Sequence, residues 1–255
     1  MKSPLISLEG KRAIVTGGSR GIGAATAELL ARAGAHVVIG YRSRAEEAHA
    51  VATKCASLGA KSFPHQADLS TRDGNESLFD AAFSEFGGVD IFVGNSGVWP
   101  DLPVNVENLD DDRWRSTMAL NLDGVFYGCR LAARRLSAGG RIVIVSSTAG
   151  QRGEAFHADY AATKGAVISF VKSLAVELAP RGITVNTVAP GWVDTDAVSR
   201  PFAGEGRARI EAAIPLGRVA APADIAGPIA FLCSELARHV TGEVLNVNGG
   251  SVLCG

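Results

Sequence analysis

Short apolar runs recur along the chain at positions 12–16, 36–40, 61–66, 91–95, 141–147, 183–189 and 243–247. Most are rich in Val and Ile and apolar on consecutive positions, the pattern of parallel strands covered on both faces. Between them lie amphipathic stretches at 22–33, 44–58, 75–86, 114–136, 159–179 and 223–234. In the first, Ile22, Ala25, Leu29 and Leu30 repeat at helical spacing and Gly34 stops the helix. Strand and helix alternating this often predict right-handed βαβ units in an α/β, doubly wound, mostly parallel seven-stranded sheet with helices on both faces. No linker, charge block or internal repeat divides residues 1–255, so a single domain is expected.

In such a sheet ligands bind at the carboxyl ends of the strands, near the point where strand order reverses. Those ends read Thr16-Gly17-Gly18, Gly40-Tyr41-Arg42, Ala67-Asp68-Leu69, Asn95-Ser96-Gly97, Ser146-Ser147 and Pro190-Gly191. All are small, polar or turn-forming, which suits an edge built around a ligand.

Composition narrows the classes. The chain of 255 residues has 30 glycines, where average usage would give roughly 18, so about a dozen need a reason. Lys and Arg number 25 against 26 Asp and Glu, a net charge of −1. That balance argues against a phosphate-backbone binder, which needs a clustered excess of positive charge. Cys55, Cys129, Cys233 and Cys254 are far apart and form no C-x-x-C, as in reduced thiols of a cytosolic chain. The five histidines show no ligand spacing, so no metal site is expected. The first eleven residues lack the apolar core of a signal peptide and no run has the ~20 apolar residues of a membrane span, so a cytoplasmic location is expected.

The first strand runs into Thr16-Gly17-Gly18-Ser19-Arg20-Gly21-Ile22-Gly23 and then directly into a helix. Glycines there let backbone approach a pyrophosphate resting on free N–H groups at the helix start. An acid that would hold the ribose 2′-OH is expected ~20 residues on, but no Asp or Glu occurs between Glu28 and Glu46. Tyr41, Arg42, Ser43 and Arg44 stand there instead, with Arg20 in the glycine loop. Arginines and a hydroxyl suit a 2′-phosphate, which favours NADP(H) over NAD(H). The alternative is that Arg42 and Arg44 are solvated charges at a helix start, where positive charge opposes the macrodipole.

Tyr160 and Lys164 are four apart in a helical pattern and so share a face. A phenol with a pKa near 10 is a weak acid/base at neutral pH, and a neighbouring ammonium favours its ionised form. Such a tyrosine could trade a proton with a carbonyl or alcohol oxygen. Spacing alone equally describes an ordinary exposed Tyr–Lys pair.

Taken together, Thr16-Gly17-x-x-x-Gly21-x-Gly23, Asp68-Leu69, Asn95-Ser96-Gly97, Asn121, Ser147, Tyr160-x-x-x-Lys164 and Pro190-Gly191-x-Val193-x-Thr195 resemble the motifs of the short-chain dehydrogenase/reductase family. The match is to its compact single-domain branch, and within that to 3-oxoacyl-(acyl-carrier-protein) reductases and their sugar- and alcohol-oxidising relatives. One departure is Ser96, where the family usually has Ala. The resemblance implies catalysis by Tyr160 as acid/base, with Lys164 binding the nicotinamide ribose and lowering the tyrosine pKa. It also implies Ser147 on the substrate oxygen and Asn121 holding a relay water. Ser146 competes with Ser147, and the 13-residue offset to Tyr160 selects Ser147. The three residues between Tyr160 and Lys164 differ from the longer gap of the divergent enoyl-reductase branch.

Cofactor contacts carried over are Gly17, Ser19, Arg20, Gly21, Ile22 and Gly23 in the first loop, and Tyr41, Arg42 and Ser43 after the second strand. Asp68 and Leu69 would flank the adenine, and Asn95 and Gly97 the ribose and pyrophosphate. Pro190, Gly191, Val193 and Thr195 would shape the nicotinamide pocket. The substrate is expected to be a small carbonyl or alcohol compound bound by a loop at about 194–216. Trp99, His157, Trp192 and Phe202 are candidate pocket walls, joined by Gln151 and Glu154. A homotetramer is implied, built partly from the helices at 121–136 and 160–179. Acyl carrier protein is a possible partner, with Arg181 at one docking position but Ala138 at the other, where Arg134 and Arg135 are neighbours. A cofactor-binding regulator without turnover is the alternative. An extended-branch epimerase or dehydratase is disfavoured because about 60 residues follow Thr195.

Overall fold

The computed structural model describes residues 5–253. Its elements follow the apolar pattern: β1 (Arg12–Thr16), α1 (Gly21–Arg32), β2 (His36–Tyr41), α2 (Ala45–Ser57), β3 (Ser62–Gln66), α3 (Arg72–Phe86) and β4 (Val89–Gly94). Then come α4 (Asp111–Met118), α5 (Gly124–Arg135), β5 (Leu136–Val145), α6 (Thr148–Arg152) and α7 (Ala158–Leu178). The chain closes with β6 (Thr184–Pro190), α8 (Gly206–Ala212), α9 (Pro222–Cys233) and β7 (Val244–Val247).

The strands form one sheet in the order β3-β2-β1-β4-β5-β6-β7. Every pairing is parallel, so the sheet expected to be mostly parallel is wholly so. Successive residues of a strand face opposite sides, and in the inner strands both sides are largely dry, while the edge strands β3 and β7 are only partly covered. Ala13, Val15, Val37 and Ile39 enter the core beneath α1, α2 and α9. Ile14 and Val38 enter the core beneath α3, α5 and α7. That is why the strands read as unbroken apolar runs. Strand order reverses between β1 and β4, which sets the ligand crevice at their carboxyl ends.

The single helix expected over 114–136 is interrupted. A wide π turn at Ala119–Asp123 joins α4 to α5 and buries Asn121. Such turns insert one extra residue into a helix and re-aim the side chain they carry.

The start of α7, which carries Tyr160 and Lys164, is fixed to α4 by a buried ion pair. The Asp159 carboxylate is fully buried and takes Arg113 Nε at 3.0 Å and Thr117 Oγ1 at 3.1 Å. Arg113 also donates to Leu102 O at 2.7 Å, tying in the loop after β4. Burial pushes the Asp159 carboxyl up, but the hydrogen bonds from Arg113, the Tyr160 N–H and Thr117 outweigh it and hold it below the usual carboxylate range. Breaking a buried pair leaves the other charge uncompensated. Asp159→Asn is therefore expected to lower the unfolding free energy by about 3 kcal/mol at pH 7 in urea titrations. Because the folded value is depressed, this contribution is complete above about pH 4 and fades as pH falls through that value. The gap between parent and variant should close in acid.

Candidate active site

The Thr16 hydroxyl holds the loop after β4 against the end of β1. Its oxygen accepts from the N–H groups of Asn95 (2.9 Å) and Ser96 (3.0 Å) and donates to Val93 O at 3.3 Å. Asn95 Nδ2 returns bonds to Thr16 O (3.0 Å) and Gly17 O (3.2 Å). The glycine loop then turns through left-handed backbone at Gly17 and Gly21, with φ of +61° and +54°, a region L side chains avoid. Helix α1 starts at Gly21 with no side-chain cap and no acid in its first turn. Its first N–H groups and the positive end of its dipole are thus left for an external anion. Gly23, expected to contact cofactor, is instead buried against the loop. A Cβ there would lie 2.2 Å from Gly17 O, so its role is close packing.

A cleft of about 610 Å³ runs from this loop to Tyr160 and Lys164. Gly17, Ser19, Arg20, Gly21 and Ile22 form one end, with Tyr41, Arg42 and Ser43 beside them. Leu69, Asn95 and Gly97 follow, and Pro190, Gly191, Val193 and Thr195 form the other wall. Asp68 is not part of the lining. Ser70 donates to its carboxylate from both the hydroxyl (2.7 Å) and the backbone N–H (3.0 Å), and these bonds hold it below the usual carboxylate range. Its acceptors are used to shape the turn into α3.

Of the three arginines near the second strand, Arg44 is paired with Glu47 at 3.1 Å, which offsets the charge at the start of α2. Arg20 reaches across the mouth of the cleft to Asp196 at 2.8 Å. The Arg42 guanidinium makes no ion pair among the described residues, while its carbonyl accepts from Gln66 Nε2 at 2.9 Å. The open cradle, the uncapped helix start and this basic rim fit a phosphorylated dinucleotide. No group of three or more metal-ligating side chains occurs among the described residues.

At the reacting end the two serines separate. Ser146 is buried and its hydroxyl is committed to Lys164 O at 2.8 Å. Ser147 lines the cleft with Tyr160 and Lys164, as Ser146 also does, and its oxygen accepts from Ala149 N at 3.1 Å. Lys164 is 4% exposed, and its Nζ donates to Val145 O at 2.9 Å and lies 5.7 Å from the Tyr160 ring centre. Lys164 is expected to pull the phenol down; among the protein's own groups burial dominates. Burial pushes Tyr160 up to about 12, a hydrogen bond with Ser147 works against that, and the Glu154 charge adds to it. Burial likewise pushes Lys164 down to about 8.

Asn121 is fully buried and does not line the cleft. Its side chain accepts from Val98 N and donates to Val98 O, each at 2.8 Å, clamping the loop that carries Gly97 and Trp99. A relay water is expected on this residue; its side-chain amide is engaged by Val98 and, through Nδ2, by Thr163 Oγ1 at 3.4 Å, so the side chain also positions that loop.

The four aromatic candidates form one cluster, but only Trp99 and Trp192 reach the cleft. His157 stacks behind Trp99 with ring centres 4.5 Å apart and 17° between planes. Phe202 supports Trp192 at 6.0 Å. Both are buttresses because the tryptophans occupy the space in front of them. Gln151 turns away to Asn246 at 2.6 Å. Glu154, by contrast, lines the cleft and accepts from Trp99 Nε1 at 3.1 Å. Leu120, Arg152, Ile210, Ile214 and Ser251 complete the walls. Ser251 carried no sequence signal, since only the fold brings the segment after β7 beside the end of β6.

The family model described as Enoyl-(Acyl carrier protein) reductase matches residues 17–251. A 3-oxoacyl-(acyl-carrier-protein) reductase of Aquifex aeolicus is 40% identical over 249 residues, 96% of this chain and 98% of the relative. The 3beta-hydroxysteroid dehydrogenase 1 of Eggerthella lenta is 40% identical, covering 96% of this chain and 95% of its own. Among solved structures, a short chain dehydrogenase from Burkholderia cenocepacia in complex with NADP superposes with a TM-score of 0.90. It is 38% identical and covers 96% of this chain and 98% of that one.

A buried lysine with a single hydrogen bond is a destabilising element in the chain alone. Lys164→Met is expected to raise stability without cofactor by roughly 2 kcal/mol at pH 7, read from thermal melts. Since the folded value of about 8 lies below the ordinary 10.5, the unfolded chain binds more protons between them, and parental stability rises with pH across that window. The advantage of the variant should shrink there.

Proposed function

This chain belongs to the short-chain dehydrogenase/reductase family, and on that footing we propose that it is an NADP(H)-dependent oxidoreductase interconverting a ketone and an alcohol. The observation that carries the proposal is the joining of Ser147, Tyr160 and Lys164 to the glycine loop along one continuous cleft. The nicotinamide ring, when bound, supplies a hydride to the carbonyl carbon or takes one from the carbinol carbon. Ser147 and Tyr160 hydrogen-bond the substrate oxygen, and the phenol donates its proton as the carbonyl becomes an alcohol. A phenol held near 12 by burial is a protonated donor at neutral pH, as reduction requires. In the reverse direction Lys164, charged below about pH 8, stabilises the phenolate that takes the alcohol proton. Trp192 and, around α8, Ile210 and Ile214 line the cleft.

The glycine loop with Ser19, Arg20 and Ile22 would hold the pyrophosphate, and Arg42 with Ser43 the 2′-phosphate. The Burkholderia relative bound to NADP supports that choice. The relatives named for 3-oxoacyl thioesters and for a steroid alcohol support a carbonyl or secondary alcohol substrate. Docking of acyl carrier protein is the weaker reading. Arg181 spends its guanidinium on Ala133 O and Leu136 O, and Arg135 is paired with Asp80 and stacked on Phe83. Phe126 and Val176, exposed on α5 and α7, support the homotetramer as the assembled form, and a cytoplasmic location accords with the scattered free thiols. No helix among the described residues is long and apolar enough to cross a membrane.

Tyr160→Phe is expected to reduce NADPH-dependent turnover of a ketone panel by at least a thousandfold while NADPH binding, followed by fluorescence, changes less than threefold. Normal turnover in that variant would refute the mechanism. Tight NADPH binding by the parent with no turnover of any ketone, thioester, quinone or sugar would favour a regulator. Arg42→Asp should move the ratio of kcat/KM for NADPH over NADH toward NADH by at least tenfold, and an unchanged ratio would remove Arg42 from the phosphate site.

A further inference from the structure

The substrate end of the cleft holds a carboxylate that the proposed chemistry does not use. Glu154 lines it with a side chain 21% exposed. Its Oε1 is engaged by Trp99 Nε1 at 3.1 Å and faces His157 Nδ1 at 3.8 Å. Among the described residues no donor is hydrogen-bonded to Oε2. The group is close enough to Tyr160 for its charge to act on the phenol. Trp99 is itself immobilised by His157 stacked on one face, by Trp192 edge-on at 6.0 Å, and by the bond to Glu154. The cleft therefore presents a rigid indole and a carboxylate side by side on the same walls as Ser147 and Tyr160.

A wholly apolar ketone lying here would strip water from Oε2 and offer nothing in return, which is unfavourable for a carboxylate. A substrate carrying a hydroxyl beside the reacting carbon satisfies it, while its C–H groups lie on the indole. An anionic group in the same place would meet like charge. Arg152 and Arg209 also line the cleft but are exposed, so water already serves them and they make no such demand. Resting on the oxidoreductase reading, we infer that Glu154 and Trp99 form a hydroxyl-recognition site, and that the substrate is a neutral vicinal diol or the matching α-hydroxy ketone.

The test is a titration of tryptophan fluorescence in the presence of NADP+, with cis-1,2-cyclohexanediol, cyclohexanol and 2-aminocyclohexanol as probes. Turnover of the same compounds is measured in parallel. The diol is expected to bind at least tenfold tighter than cyclohexanol. Glu154→Ala should bring that ratio near one, and Glu154→Gln, which keeps an acceptor oxygen, should leave it in between. Equal binding of diol and cyclohexanol by the parent, no binding of the diol, or a preference that survives Glu154→Ala would overturn the assignment. So would tighter binding of the amine than of the diol, which would make the site cationic in preference. A diol that binds selectively through Glu154 but is never oxidised would keep the hydroxyl-recognition site and overturn the diol as substrate, whereas no turnover of any ketone or alcohol by the parent would sink the oxidoreductase reading instead.

Discussion

The site depends on the clasp between Thr16 and Asn95 at the ends of β1 and β4. These neighbouring strands lead away in opposite directions through the sheet, so their loops diverge and leave a crevice. Left alone, two such loops would be free to part. One threonine hydroxyl and one asparagine amide satisfy both backbones and lock the floor of the crevice. Everything above it takes its position from there, including the left-handed turns at Gly17 and Gly21 and the start of α1.

The reacting end shows the opposite economy. Lys164 and Tyr160 are held where burial disfavours their charged forms, and the helix that carries them is anchored by the Asp159–Arg113 pair. Desolvation makes the pair uncomfortable in the chain alone. The same low dielectric strengthens any interaction formed with a substrate oxygen or a ribose hydroxyl. Stability is yielded at Lys164 and recovered one turn away at Asp159, so the strain is local and the fold tolerates it.

The inner strands were legible because they are dry on both faces. Consecutive apolar positions have no other economical use, and the alternation of Ile14 and Val38 with Val15 and Ile39 between two cores explains the pattern directly. The helix over 114–136 was less legible. Its composition runs on through Asn121, and only packing of that asparagine against Val98 explains the wide turn. Asp68 and Gly23 show the same limit in the site, since motif position cannot distinguish a residue that touches a ligand from one that shapes the loop beside it.

The order of apolar runs, the glycine loop without an acid after the second strand, and the helical spacing that puts Tyr160 and Lys164 on one face were determined by the sequence alone. Each rests on local periodicity or on short-range steric need. The tertiary structure decided what depends on neighbours distant along the chain. It committed the Ser146 hydroxyl to Lys164 O, and it placed His157 and Phe202 behind the two tryptophans. It also set Glu154 beside Trp99 at the reacting end. Whether a polar side chain is spent on the fold or left for a ligand is a question of hydrogen-bond partners, and those partners meet only when the chain is folded.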